Sequence, residues 1–203
     1  PPSDVVPAEM DRFVAWFART RARLPAVTRS GLAHVYFESI HPFEDGNGRV
    51  GRAISELALA QGLGARSLTL LATEIESRQR DYYAHLEQVS QGLEVTEWLV
   101  WFADVTLAAQ ARTLAWIDFV IAKARLLDEL SGRINERQER ALLRMFREGP
   151  TGFLGGLSAG NYQRITGTTP ATAGRDLADL VLLGALTRTG SGKGTRYWLK
   201  LGR

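Results

Sequence analysis

Twelve consecutive residues combine side chains that can bind phosphate and move a proton. They run from His41 to Arg52 and read HPFEDGNGRVGR. Histidine titrates near neutrality, so His41 is a candidate general base. Gly46, Asn47 and Gly48 tolerate backbone conformations that turn successive N–H groups toward an anion, and the helix that they open adds the positive end of its dipole. The segment therefore predicts an anion site beside a base.

Three charged residues of the same segment strengthen this prediction. Arg49 and Arg52 lie three positions apart on the new helix, so both guanidinium groups can reach phosphate oxygens near its first turn. Asp45 offers a hard oxygen ligand where Mg²⁺ would bridge a carboxylate and phosphates. The residues alone leave a simpler interpretation open, in which Gly-Asn-Gly is a helix-breaking turn and Asp45 and Arg49 form a surface ion pair.

The segment resembles the signature HPFx[D/E]GNGRxxR of the Fic family, within the Fic/Doc superfamily, at every defined position. The helical frame around it, about residues 5–130, is also similar to a Fic core. The resemblance implies a protein adenylyltransferase, which moves AMP from ATP to a Ser, Thr or Tyr hydroxyl of a target protein and releases pyrophosphate. ATP is then a co-substrate and Mg²⁺ a cofactor.

The same resemblance implies a role for each motif residue. His41 would deprotonate the target hydroxyl, Asp45 would hold Mg²⁺, and Phe43 would anchor the loop in the core. Backbone N–H groups of the glycine segment would form the anion hole. The remaining contacts to the nucleotide are expected from Arg49, Arg52 and Tyr83.

Other functions remain open at this stage. Fic-type transfer of another phosphate-containing group fits the motif, since the motif does not read the nucleoside. A nucleotide-responsive DNA-binding regulator and an interaction scaffold with an inert pocket are the alternatives from other classes. A base such as His41 has no use in an inert site, which argues against the scaffold.

Composition limits the class of protein. The 203 residues are 45% hydrophobic and 23% charged, and they include no Cys, which excludes disulfide frameworks and thiolate chemistry. Asp104, Arg112 and Asp118 interrupt the most apolar stretch, so we expect no membrane-spanning helix and no membrane partner. The chain begins Pro-Pro-Ser, which we interpret as the start of a fragment. We expect a cytoplasmic protein that can form a homodimer.

Helical periodicity dominates the first two thirds of the chain. It predicts a helix from about Met10 to Leu24 and others over 30–40, 47–63, 73–89 and 96–130. Glycines, shorter elements and a change of charge mark the remainder, because residues 133–203 hold 12 Lys and Arg against 5 Asp and Glu. The predicted fold is mainly α: an N-terminally truncated Fic-type helical domain over 1–132, then a small α+β winged helix-turn-helix domain over 133–203.

The C-terminal segment has the element order of a winged helix, with three short helices before a glycine-tipped hairpin. In that interpretation the helix from Pro170 enters a DNA groove. Thr172 and Arg175 would face bases, and Lys193 and Arg196 would contact phosphates. A protein partner for this domain is the alternative.

Overall fold

The structure, a computed structural model, describes residues 1–64, 69–92 and 94–201. Its helices and strands are, in chain order, α1 (Val6–Arg19), α2 (Ala26–Ile40), α3 (Asn47–Leu63), α4 (Leu71–Ser77), α5 (Gln79–Ser90), α6 (Thr96–Leu130), α7 (Glu136–Phe146), α8 (Ala159–Thr166), α9 (Pro170–Leu182), β1 (Leu186–Thr189) and β2 (Arg196–Leu199). Short 3-10 turns cover Gly149–Thr151 and Gly192–Gly194. The predicted fold class, a helical core followed by a small α+β region, is confirmed.

One predicted helix divides in two. The segment over 73–89 forms α4 and α5, with a break at Arg78, whose backbone lies at φ −117° and ψ 30°. The Arg78 guanidinium pairs with Glu74, and Arg112 of α6 pairs with the other oxygen of that carboxylate. Because Glu74 is buried, these two partners fix the break against α6.

The chain forms two compact units, Pro1–Thr113 and Leu114–Arg203. The division falls inside α6, because Phe119, Leu126 and Leu130 belong to the same core as α7, α8 and α9. The predicted boundary after residue 132 rests on the change in sequence character and stays a prediction.

The N-terminal unit is organised around the antiparallel pair of α2 and α3. Trp98 of α6 is buried and donates its indole N–H to the Gly31 carbonyl at 2.9 Å, which places α6 directly on α2. Arg29 is also buried, and its guanidinium donates to the Phe17 carbonyl at 2.7 Å and to Gln61 Oε1 at 3.0 Å. These bonds join α1, α2 and α3 at the end of the helix pair that lies away from the loop between α2 and α3.

α6 is long and apolar enough to cross a membrane by length and composition, which differs from the sequence-based expectation. Its charged residues are spaced so that an 18-residue window contains no more than two of them. Of the most apolar window, 28% is buried within the protein. Its buried residues Phe102 and Val105 pack in the core of the N-terminal unit.

The C-terminal unit packs three helices against a hairpin. Asn135 caps α7 in a capping box with Gln138, as the sequence predicts. β1 and β2 are antiparallel, with Leu186 opposite Leu199 and Thr189 opposite Arg196. The element order matches the predicted one, while the assignment as a winged helix stays a prediction.

Candidate active site

The loop between α2 and α3 begins at a strained residue. His41 caps α2 with φ 51°, and in the described part of the chain it is the single non-glycine residue with a positive φ. Its N–H still donates to the Phe37 carbonyl at 3.1 Å. Such a conformation costs energy and persists where the surroundings impose it, often at functional sites. The backbone of His41 is therefore fixed by the end of α2, and its side chain is exposed.

Asn47, and not Phe43, anchors this loop. The Asn47 side chain is buried, accepts from the Phe43 N–H at 3.0 Å and donates to the Phe43 carbonyl at 2.6 Å. The expectation that Phe43 anchors the loop in the core is wrong, because that side chain is 50% exposed. Its ring centroid lies 6.3 Å from that of the core residue Phe37. A paired amide can close a short loop that has no room to bury an aromatic ring.

The start of α3 has the form of an anion site. Gly46 precedes it at φ 89°, a left-handed conformation that favours glycine. The first N–H groups of the helix have no partner within it and point out of its first turn. A Cβ placed on Gly46 would lie 3.3 Å from Arg49 Nη2, and one on Gly48 would lie 3.3 Å from Arg52 Nη1. Both guanidinium groups thus fold back over the first turn.

Asp45 lies at the same turn and is paired with one of these arginines. Arg49 Nη2 lies 3.0 Å from Asp45 Oδ2, and both side chains are largely exposed. This is the surface ion pair that the sequence left open, and an exposed pair of this kind contributes little to stability. Within residues 1–64, 69–92 and 94–201 no group of three or more His, Cys, Asp or Glu could hold a metal by itself. Asp45 fits the other way of binding Mg²⁺, in which one carboxylate is joined by substrate phosphates and water.

A cleft of about 260 Å³ adjoins Arg52. Tyr83 lies at its edge, 58% exposed, while the neighbouring Tyr82 is buried. The cleft is lined by Arg52, Ala72, Ile75, Glu76, Gln79, Tyr82 and Tyr83. It is large enough for a planar base, and Arg52 and Tyr83 are the predicted site residues that the structure brings to it.

Residues 1–59 match the model of the Fic/DOC family, and these residues contain the whole motif. Over these residues the N-terminal unit is similar to the Fic/DOC family, and we refer to that unit below as the Fic domain. The chain is 35% identical over 92 residues to a probable protein adenylyltransferase of Aquifex aeolicus (strain VF5). That alignment covers 45% of this chain and 26% of the relative, so the chain spans about a quarter of the length of that protein.

The Fic fold also appears in a solved structure. A crystal structure of a Fic family protein from Desulfovibrio desulfuricans G20 superimposes with a TM-score of 0.52, over 98% of this chain and 56% of that chain. The identity is 23%, so the likeness concerns the fold.

A buried polar network connects the two helices on either side of the Fic motif with α5. His34 of α2 is buried, and its Nδ1 lies 3.1 Å from Ser55 Oγ of α3. Its Nε2 lies 2.9 Å from the Tyr82 hydroxyl of α5. Burial lowers the pKa of His34 to about 4, an effect that the Gly51 carbonyl opposes and the Arg52 charge assists. His34 is therefore a neutral structural residue that connects three helices behind the site.

We expect this network to make the Fic domain sensitive to acid. The pKa of His34 is lower in the folded protein than the ordinary value of 6.5, so its contribution to stability is complete above about pH 6.5. As the pH falls from 6.5 toward about 4, His34 becomes protonated in the unfolded chain but stays neutral in the folded protein. The free energy of unfolding therefore decreases over this range. Urea midpoints of the Fic domain at pH 7 and pH 5 measure this loss.

The matched variants for this measurement are His34→Gln and His85→Gln. We expect the urea midpoint of His34→Gln to fall less between pH 7 and pH 5 than that of the wild type, because the titrating ring is absent. His85→Gln should follow the wild type. An equal pH dependence in all three proteins would contradict the role given to His34.

The predicted DNA-contacting residues lie on two elements of the C-terminal unit. Thr172 and Arg175 occur in the first half of α9, where the Thr169 side chain caps the helix. Lys193 lies in the turn between β1 and β2, and Arg196 begins β2. Both line a cleft of about 480 Å³ with Arg188 and the first residues of α8. The structure brings these two basic residues together at that cleft.

Sequence reasoning missed two features of the Fic site. One is the Asn47 side chain, which was predicted only for its backbone N–H. The other is Glu38 of α2, a partly buried carboxylate one helical turn before His41. The sequence carries no local signal for it, because His41 adopts a left-handed conformation beyond the end of α2.

Proposed function

We propose that the Fic domain transfers AMP from ATP to a hydroxyl side chain of a target protein and releases pyrophosphate. The observation that carries the proposal is the placement of an exposed histidine, fixed by a strained backbone, beside a helix N-terminus with two arginines folded over it. The match to the Fic/DOC family model and the likeness to a probable protein adenylyltransferase support it. In this arrangement catalysis consists of positioning and charge stabilisation.

The His41 imidazole takes the proton of the target hydroxyl as its oxygen forms a bond to the α-phosphorus. The bond from that phosphorus to the oxygen bridging to the β-phosphate breaks, and pyrophosphate leaves. The imidazolium later gives its proton to solvent.

The other motif residues hold the nucleotide. N–H groups of Gly46, Asn47 and Gly48 donate to phosphate oxygens, and Arg49 and Arg52 bind the outer phosphates. Asp45 would hold Mg²⁺, which neutralises charge on the α- and β-phosphates when it is bound. Arg49 must then leave its pair with Asp45, at little cost because both side chains are exposed. Tyr83 would pack against the base in the adjoining cleft.

Arg52→Ala tests the nucleotide site. We expect its Kd for Mg²⁺-ATP to rise about tenfold or more, since it loses a charge-assisted contact to phosphate. Isothermal titration measures this, and Arg12→Ala, on the exposed surface of α1, is the matched control. Unchanged affinity in Arg52→Ala, or no ATP binding by the wild type, would contradict the proposal.

A second candidate function belongs to the C-terminal unit, which we propose binds duplex DNA through its phosphates. Its cleft carries Arg188, Lys193 and Arg196, and no acidic side chain lines it in the part of the chain that the structure describes. Asp176 of α9 does not weaken the positive surface. It is buried and accepts from Arg137 at 2.9 and 3.1 Å and from the Tyr162 hydroxyl at 2.9 Å.

Lys193→Ala tests this second function. We expect weaker binding of any duplex and a decrease of about 1 in the slope of log K against log salt concentration. Fluorescence anisotropy at several salt concentrations measures both quantities. Lys200→Ala, an exposed lysine at the end of β2 and outside the cleft, is the control. If the two variants bind alike, or a protein partner binds where DNA does not, the DNA function is wrong.

A further inference from the structure

The second half of α6 has two apolar faces, and the C-terminal unit buries one of them. Phe119 and Leu126 lie in the core of that unit. Ile117 and Ile121 lie two positions before and after Phe119, which places each of them about 160° around the helix from it. Their exposed fractions are 38% and 44%, and that of Leu114 is 63%. The helix therefore directs aliphatic side chains to solvent on the side opposite to its core contact.

These exposed residues have the spacing of a helix that pairs with another helix. We define the α6 stripe as four residues separated by three, four and three positions: Leu114, Ile117, Ile121 and Ala124. They occupy the a and d positions of a heptad repeat, the pattern of helices that pack side by side. In the sequence, Leu107 and Val100 precede Leu114 at the same spacing of seven residues. The stripe therefore fits a second helix of the same period.

Two charged residues beside the stripe indicate which helix this is. Asp118 and Arg125 each follow a d residue, so both occupy e positions on the same edge of the stripe. Both are exposed, and neither forms a salt bridge with another side chain in the part of the chain that the structure describes. When two helices pack antiparallel, the e positions of one face the e positions of the other. Asp118 of one copy then faces Arg125 of a second copy, and the reverse pair forms by symmetry.

We propose that the α6 stripe is a self-association surface, on which a second copy of this chain packs its own stripe antiparallel to the first. The arrangement is two-fold symmetric, so the same surface serves both copies and each contact occurs twice. Aliphatic side chains form its centre, and the two ion pairs lie at its edge. A membrane or an unrelated apolar surface has no use for opposite charges at this spacing. The inference is independent of AMP transfer and of DNA binding.

Sedimentation equilibrium of the whole chain measures self-association without any ligand. We expect a reversible dimer with a Kd on the order of micromolar, since the stripe is short compared with the interface of a permanent dimer. In Ile121→Lys we expect this Kd to rise at least about a hundredfold, because each copy would bury an unpaired ammonium group in the apolar centre. A wild type that is monomeric at about 100 μM would overturn the inference.

Leu182→Lys is the matched control for Ile121→Lys. Leu182 of α9 is 85% exposed and lies outside the stripe, so we expect the wild-type Kd. Circular dichroism should show the same helix content in both variants, because both replaced side chains are exposed. A dimer of wild-type affinity in Ile121→Lys would place the contact elsewhere and overturn the inference.

Charge reversal tests the antiparallel arrangement itself. In Asp118→Arg both ion pairs become pairs of arginines, and we expect the Kd of the dimer to rise about tenfold. Arg125→Asp should have a similar effect. The double variant, Asp118→Arg with Arg125→Asp, restores opposite charges in both pairs, and its Kd should return to within about twofold of the wild-type value.

Recovery in the double variant must arise between copies. Within one copy Asp118 and Arg125 lie seven positions apart, about 10 Å along the helix, which is too far for a direct ion pair. In a parallel pair, or with a different partner, the two positions have no mutual contact. A double variant that dimerises no more tightly than either single variant would therefore overturn the inference.

Discussion

His41→Ala is expected to abolish transfer while ATP still binds. Loss of a general base removes on the order of 10²–10⁴ of the rate, and the phosphate contacts of the Fic domain come from α3. We therefore expect the Kd for Mg²⁺-ATP to stay within about twofold of the wild type. Rates of label transfer from ATP and isothermal titration of the same preparations measure the two effects.

The control for this prediction is His85→Ala, the other histidine outside the buried network. His85 packs near Trp101 with ring centroids 5.3 Å apart, so its loss should leave transfer nearly unchanged. Transfer at the wild-type rate in His41→Ala would show that the base lies elsewhere. Loss of ATP binding together with transfer would assign His41 to the nucleotide site.

Asn47→Ala is expected to have the second largest effect, on both transfer and stability. The change removes the two hydrogen bonds to Phe43 and leaves both Phe43 backbone groups without a partner. We expect a loss of about 1–3 kcal/mol in the free energy of unfolding and at least about a tenfold loss of transfer, since the loop carries the base. Urea unfolding and transfer rates measure these effects.

Phe43→Ala is the informative comparison. Because its ring is half exposed, we expect it to cost less stability than Asn47→Ala. A larger loss in Phe43→Ala would restore the aromatic ring as the anchor of the loop and would contradict the role of Asn47.

Much of the local structure could be predicted because the signals were local. The glycine segment and the helical period gave the start and end of α3, and Thr96 to Leu130 forms the long helix α6 as predicted. Asn135 and Gln138 form the predicted capping box. Each of these features depends on residues within one turn of each other.

What could not be predicted depends on contacts between distant residues. The break at Arg78 follows a buried carboxylate, Glu74, which Arg112 of α6 also binds, and no local signal reports that partner. The end of α6 joins the second core through residues after 140. Asn47, and not the expected Phe43, anchors the loop, because the Asn47 side chain is buried and the Phe43 ring is half exposed.

The site shows the same division. The motif spacing was sufficient to predict that Arg49 and Arg52 reach the first turn of α3, and the structure folds both over its glycines. The burial of the Glu38 carboxylate was not predicted, because it appears only when α3 brings Gly51 against it. The spacing of residues within one segment cannot predict a buried contact with another helix.

The most direct measurement compares ATP labelled at the α-phosphate with ATP labelled at the γ-phosphate, each incubated with this chain, Mg²⁺ and a cell lysate. The proposed function predicts protein-bound label from the α-labelled nucleotide only, dependent on His41. Label from the γ-phosphate alone would indicate phosphorylation and contradict AMP transfer. Bound ATP without label from either position would show that the Fic domain of this chain does not transfer AMP.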